Sequence, residues 1–340
     1  MLFGASGCAT LGWYGQAARG QLDILSKRED IAQLLADPAT DPVLAERLAL
    51  ALEIRAFAVA ELGLPDSRSY TRYADLGREA AVWNVVATPE FDMTPKTWCY
   101  PLVGCLAYRG FFDPDRARAL ADSLTADGYD AAVFPVSAYS TLGWFADPVL
   151  NTMLRRDDAG LAALIFHELA HEKLFVRGDT EFSEGYAVAV ERIGVERWLR
   201  KRGDQAALAR WRRDQARQAR FTALLLDARE ALIEVYAAER SLEWMEAARA
   251  AVFAELREAV GALDEDTGGQ RYRRWAERDL NNAHLALMAT YEAAVAGFLR
   301  LLEDCGGDIS CFHDRAAKLA RSDGRFRREL IDPAAHHPAG

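Results

Sequence analysis

Leu161-Ala-Ala-Leu-Ile-Phe-His167-Glu168-Leu-Ala-His171 is the stretch on which the reading of this chain turns. Its apolar residues recur at helical spacing, and the flanks Leu161, Leu164, Ile165, Phe166, Leu169, Ala170 and Leu174 carry no charge, so residues 159–175 read as a buried amphipathic helix. Residues four apart in a helix lie on one face a turn apart, so His167 and His171 aim two imidazoles at one point. Two buried histidines require partners. One tetrahedral zinc ion satisfies both. Glu168 is rotated by about 100 degrees from His167. Its carboxylate can therefore reach an attacking water without ligating, as a proton acceptor should.

A catalytic zinc needs a third protein ligand and an open fourth position. No third histidine follows at short spacing, and the candidates are Glu181 and Glu184 in Asp179-Thr-Glu-Phe-Ser-Glu-Gly-Tyr-Ala187. A turn at Arg177-Gly178-Asp179 folds the next predicted helix, residues 182–200, back against the histidine face. Glu184 is the expected ligand, because it lies just inside that helix beside small Gly185 and Ala187, whereas Glu181 is expected in the turn. Glu191, two turns on, either orients His167 or His171 or pairs with Arg192 or Arg197. His284 reads as a satisfied histidine of core or surface, and His313, His336 and His337 read as surface.

Outward from this segment, residues 16–35 and 42–62 are predicted helices, and residues 82–87, 97–100 and 103–108 are short Val-, Trp- and Tyr-rich strands. Asp113-Pro114 starts a helix to residue 127. Residues 131–136 form a strand that Pro135 confines to a sheet edge. Residues 204–260 are one long run of helix formers with room for a bend, and residues 281–303 and 311–320 add more helix. The expected class is α+β, predominantly helical, with a small sheet whose edge strand packs on a zincin-like helix bearing the histidines. The expected division is a truncated lipoprotein signal and anchor (1–11), a zincin-like catalytic region (12–200), a helical subdomain (201–331) and a tail (332–340).

The 340 residues carry 51 acidic and 41 basic side chains, a formal charge of -10, with no basic stripe to follow a phosphate backbone. Nucleic acid is excluded as a partner. No apolar run reaches the roughly 18 residues that span a bilayer. Ala5-Ser6-Gly7-Cys8 nevertheless reads as the lipobox ending a bacterial lipoprotein signal whose earlier part lies upstream of Met1. Acylation of Cys8 would tether the protein to a membrane surface on the periplasmic side of the cell envelope, at the outer membrane. The other cysteines form two close pairs, Cys99 with Cys105 and Cys305 with Cys311, read as disulfides of an oxidising compartment.

His-Glu-x-x-His with a glutamate on the next helix is the gluzincin arrangement. Together with Gly7-Cys8-Ala-Thr-Leu-Gly-Trp-Tyr-Gly-Gln16, Asn84-Val-Val-Ala87, Thr97-Trp-Cys-Tyr-Pro101, Tyr139-Ser-Thr-Leu-Gly-Trp144, Phe182-Ser-Glu184 and Asn281-Asn282, it makes the chain resemble the bacterial "putative aminopeptidase" family over nearly its whole length. The resemblance implies a zinc peptidase acting on peptides, with His167, His171 and Glu184 as ligands to one Zn2+ and Glu168 as general base. Ser183 stands where the family pattern leads one to expect Asn, and serine can still cap the helix. The loop before the active helix makes Tyr139 the candidate oxyanion donor. The alternatives are a zinc endopeptidase on the same site, and a non-catalytic envelope lipoprotein whose metal is structural.

Overall fold

A computed structural model describes residues 5–100, 104–138, 145–264, 269–286, 292–324 and 327, with side chains from residue 12 onward except at 292 and 293. The chain opens with α1 (Ala5–Ser26), the two-residue strand β1 (Glu29–Asp30) and the short helix α2 (Ile31–Ala36). α3 (Pro42–Leu62) starts on the Asp41 side chain with Pro42 in its first turn, and stops at Gly63, whose φ of 60° a residue with a Cβ rarely adopts. Next come β2 (Arg72–Ala74), the long β3 (Val82–Pro89), the pair β4 (Trp98–Tyr100) and β5 (Gly104–Leu106), and β6 (Arg109–Phe111). α4 (Pro114–Ala126) is capped by Asp113 and leads to β7 (Tyr129–Val136) and β8 (Val149–Leu150). The rest is helical: α5 (Asp158–Lys173), α6 (Thr180–Lys201), α7 (Gln205–Ala237), α8 (Leu242–Ala262), α9 (Arg271–Ala276), a 3-10 turn (Asn282–His284), α10 (Glu292–Asp304) and α11 (Ile309–Ala320).

The protein is α+β and mostly helical. Its strands form three small sheets, ordered β1-β2-β8, β6-β3-β7 and β4-β5. β7 is an edge strand, with Pro135 opposite Trp83, a position where a residue lacking an N–H is tolerated. α4 packs on β3 and β7, while α5 packs chiefly on α6 and α3. Cys99 is bonded to Cys105 across the β4-β5 hairpin, and Cys305 to Cys311 at the α10-α11 corner.

Two predicted helices are divided. The first, 16–35, ends at Ser26, because Arg28 donates to the carbonyls of Leu25 and Ala146 and the following residues pair with β2 as strand β1. Pairing with residues far along the chain overrides local helix preference there. The second, 204–260, breaks at Ala238, and Ser241 restarts it as α8 by accepting from the Trp244 N–H. α7 and α8 then pack on each other, burying Phe221, Leu232, Phe253 and Leu256.

The main core is built from α3, α5 and α6 with α10 and α11 laid over them, and Phe166, Phe182, Tyr186, Trp198, Phe298 and Phe312 are all essentially inaccessible to solvent. Each such side chain contributes roughly 1.5–3 kcal/mol by leaving water. Among the described residues no helix is long and apolar enough to cross a membrane.

Candidate metal centre

α5 begins on Asp157, whose carboxylate accepts from the Gly160 N–H at 2.8 Å. After it, Gly178 at φ 79° turns the chain. Asp179 caps α6 by accepting from the Phe182 N–H at 3.1 Å, and its other oxygen accepts from Arg327 Nε at 3.0 Å. The helix cap is thus Asp179 and not Ser183. Ser183 is fully buried one turn further on, where its hydroxyl donates to the Asp179 carbonyl at 2.9 Å and accepts from the Val176 N–H at 3.0 Å. Three polar anchors within eight residues therefore fold α6 back along α5. Gly194 lets the two helices close up: a Cβ there would lie 2.7 Å from both Phe166 and Leu62. On the other side, a Cβ at Gly185 would lie 2.5 Å from that of Ala294 in α10.

This packing brings His167, His171 and Glu184 together. His167 Nε2 lies 3.1 Å from His171 Nε2 and 3.4 Å from Glu184 Oε2, and His171 Nε2 lies 3.5 Å from Glu184 Oε1. Donors held at the usual 2.0–2.1 Å from a tetrahedral zinc ion are about 3.3–3.4 Å apart, and the three observed contacts, two of which end on different oxygens of Glu184, lie close to that value. Two imidazole nitrogens and a carboxylate are also the donor chemistry that zinc favours. The residues present fit the ion. The group is the only one of its kind found among the described residues. Glu181 lies in the first turn of α6 and outside it.

The electrostatics match this geometry. Burial pushes the His167 imidazole down, but the hydrogen bonds it donates to Glu184 and Glu191 and the negative charges of Glu191 and Glu168 outweigh it and pull the pKa up to about 10. Burial likewise pushes Glu184 up, yet the two histidines hold its carboxyl well below the usual carboxylate range. The cluster is a ready receptor for positive charge. Glu191 Oε2 sits 3.2 Å from His167 Nδ1, on the far side of the ring from the Nε2 that faces His171 and Glu184. His171 Nδ1 is buried with no hydrogen-bond partner among the described residues.

Glu168 is half-buried on α5. Tyr70, which the sequence does not single out, is buried: burial, then the charges of Glu168, Asp147 and Glu172, push its phenol well above its ordinary pKa. Tyr70 is also the one non-glycine described residue at positive φ, 61°, a conformation no sequence pattern announces. Tyr139 lies outside the described residues. His284 is paired with Asn281 at 2.9 Å, and burial pulls it down to about 4. His313, expected at the surface, is instead buried. Its Nε2 faces the Leu62 carbonyl at 2.8 Å and carries the hydrogen, so Nδ1 accepts from the Tyr186 hydroxyl at 2.8 Å. α11 turns this face onto the core, and nothing in the local spacing reveals that.

These features define an α+β protein with a two-histidine, one-glutamate centre shared by adjacent helices. A model of the family described as "Putative aminopeptidase" matches residues 12–331, and the chain belongs to that family. No curated protein and no solved structure matches it.

Proposed function

We propose that the chain is a zinc-dependent aminopeptidase with a gluzincin-type site, in which His167, His171 and Glu184 hold the ion and Glu168 is the general base. The observation that carries this reading is the cluster of His167 Nε2, His171 Nε2 and the two Glu184 carboxylate oxygens, with contacts of 3.1, 3.4 and 3.5 Å, and the family adds the reaction class. A zinc ion held there supplies Lewis acidity to the scissile carbonyl and to the attacking water. Glu168 takes the water's proton as the new carbon–oxygen bond forms. It then delivers that proton to the amine nitrogen as the carbon–nitrogen bond breaks, and returns to its starting state. Glu191 holds His167 in the ligating orientation. Tyr139, which precedes α5 in the sequence, is assigned as the donor to the developing oxyanion.

For its setting, we propose that Cys8 is acylated and tethers the enzyme to the outer membrane on the periplasmic side. The two bonded cysteine pairs support an oxidising compartment. Incubation with a library of peptides with free N-termini tests the activity. The wild type should release N-terminal residues, and Glu168→Gln should be slower by about 10²–10⁴-fold with its metal retained. A wild type that holds metal and cleaves nothing overturns the reading.

A further inference from the structure

A cavity of about 400 Å³, separate from the metal centre, is lined by Arg28, Arg68, Arg72, Ser67, Ser69 and Thr71. Three guanidiniums are gathered here with less than their complement of acid. Arg28 spends its hydrogen bonds on two neutral groups, the carbonyls of Leu25 at 3.2 Å and Ala146 at 3.1 Å. Burial, followed by the charges of Arg72 and Arg68, lowers its proton affinity, and Asp147 alone opposes them. Among the described residues neither the Arg68 nor the Arg72 side chain has a hydrogen-bond or carboxylate partner. Asp30 also lines the cavity, with one oxygen accepting from the Ala32 N–H at 2.9 Å, so with Asp147 two carboxylates face three guanidiniums and one positive charge is left over. In a chain with a formal charge of -10, most arginines could find acids, so an excess of positive charge around a cavity calls for a ligand.

The wall is rigid, as an anion site requires. Arg55 donates from Nε to the Ser69 carbonyl at 2.9 Å and from Nη2 to the Ser67 carbonyl and to Asp66 Oδ1. The Tyr70 N–H donates to the Asp147 carbonyl at 2.7 Å, the Asp147 N–H donates to Ser69 Oγ at 3.2 Å, and the Ile31 N–H donates to the Thr71 carbonyl at 3.2 Å. Residues 67–71 are thus held at almost every position. Tyr70 turns through its positive φ to bury its ring, while its neighbours on both sides line the cavity.

We propose that this cavity binds an oxyanion, a carboxylate or a phosphate, clamped by Arg28, Arg68 and Arg72, with the Ser67 hydroxyl as a further donor. On the peptidase reading above, the C-terminal carboxylate of a short peptide is one source of that group, and free phosphate is the other. The binding stands whether or not the chain is a peptidase.

Titration calorimetry on the full chain tests it without turnover, using N-acetyl-alanine, its amide and inorganic phosphate as probes. The carboxylate should bind and the amide should not, and added salt should weaken the carboxylate. Arg68→Gln with Arg72→Gln removes two exposed side chains that hold nothing in the fold, and should weaken carboxylate binding at least tenfold while circular dichroism stays unchanged. Phosphate binding alone, abolished by the same double variant, supports the oxyanion site and makes phosphate its occupant. Equal affinity for acid and amide, wild-type affinity in the double variant, or no binding of either anion overturns the proposal.

Discussion

Replacing Glu191 should weaken metal binding although Glu191 does not touch the metal position. Its Oε2 lies 3.2 Å from His167 Nδ1, whereas the ring's other nitrogen faces His171 and Glu184. With a metal on Nε2 the remaining hydrogen of His167 lies on Nδ1, and the contact with Glu191 would hold it there and fix the direction of Nε2. Glu191 is only 22 % exposed, so water replaces it poorly. Partners of this kind are worth about 10–100-fold in metal affinity, or about 1.4–2.7 kcal/mol. Glu191→Gln keeps an acceptor but loses the charge, and should sit near the tenfold end. Glu191→Ala loses both and should approach a hundredfold. Competition against a chromophoric chelator at fixed pH reads the affinity directly, and Glu184→Ala supplies the larger loss expected of a ligand. Wild-type affinity in both Glu191 variants would refute the argument that this carboxylate orients His167.

Other consequences are local. Gly194→Ala puts a methyl 2.7 Å from Phe166 and Leu62 in a filled core, so calorimetry should show a loss of about 1–3 kcal/mol, and metal affinity should fall as α6 is pushed off α5. Burial, opposed by the Leu62 bond and assisted by the charges of Lys173 and Arg197, holds His313 at about 4 against 6.5 unfolded. The unfolded chain thus binds the extra proton between those values. His313 stabilises the fold fully above pH 6.5 and loses on the order of 3 kcal/mol as pH falls toward 4. Denaturant melts should show that slope in the wild type and a flatter one in His313→Gln. Reducing Cys305–Cys311, a bond spanning six residues, should cost about 2 kcal/mol of stability, read by the same melts of Cys305→Ser.

How far the sequence carries depends on how local each cause is. The five residues from His167 to His171 show their geometry because one helical turn decides it, and Glu184 follows because the turn at Gly178 and Asp179 leaves α6 one direction in which to go. Pro135 marks an edge strand for a reason internal to the residue. The end of α1 at Ser26 depends on Arg28 reaching Ala146 and on β1 pairing with β2, both distant in the chain. The same is true of His313, whose burial is set by Leu62 and Tyr186. Ser241 did leave a readable trace as a helix-starting residue, but the helix formers on both sides of it hide the break. Tyr70 left none, since its importance lies in a backbone angle and in a charge about a hundred residues away.

X-ray absorption at the zinc edge of the purified protein tests the central claim most directly. One zinc per chain is expected, with two imidazole nitrogens and light oxygen scatterers at about 2.0–2.1 Å, and with the signal lost in His171→Ala. No bound zinc, a shell containing sulfur, or an unchanged spectrum in His171→Ala would contradict a centre built from His167, His171 and Glu184.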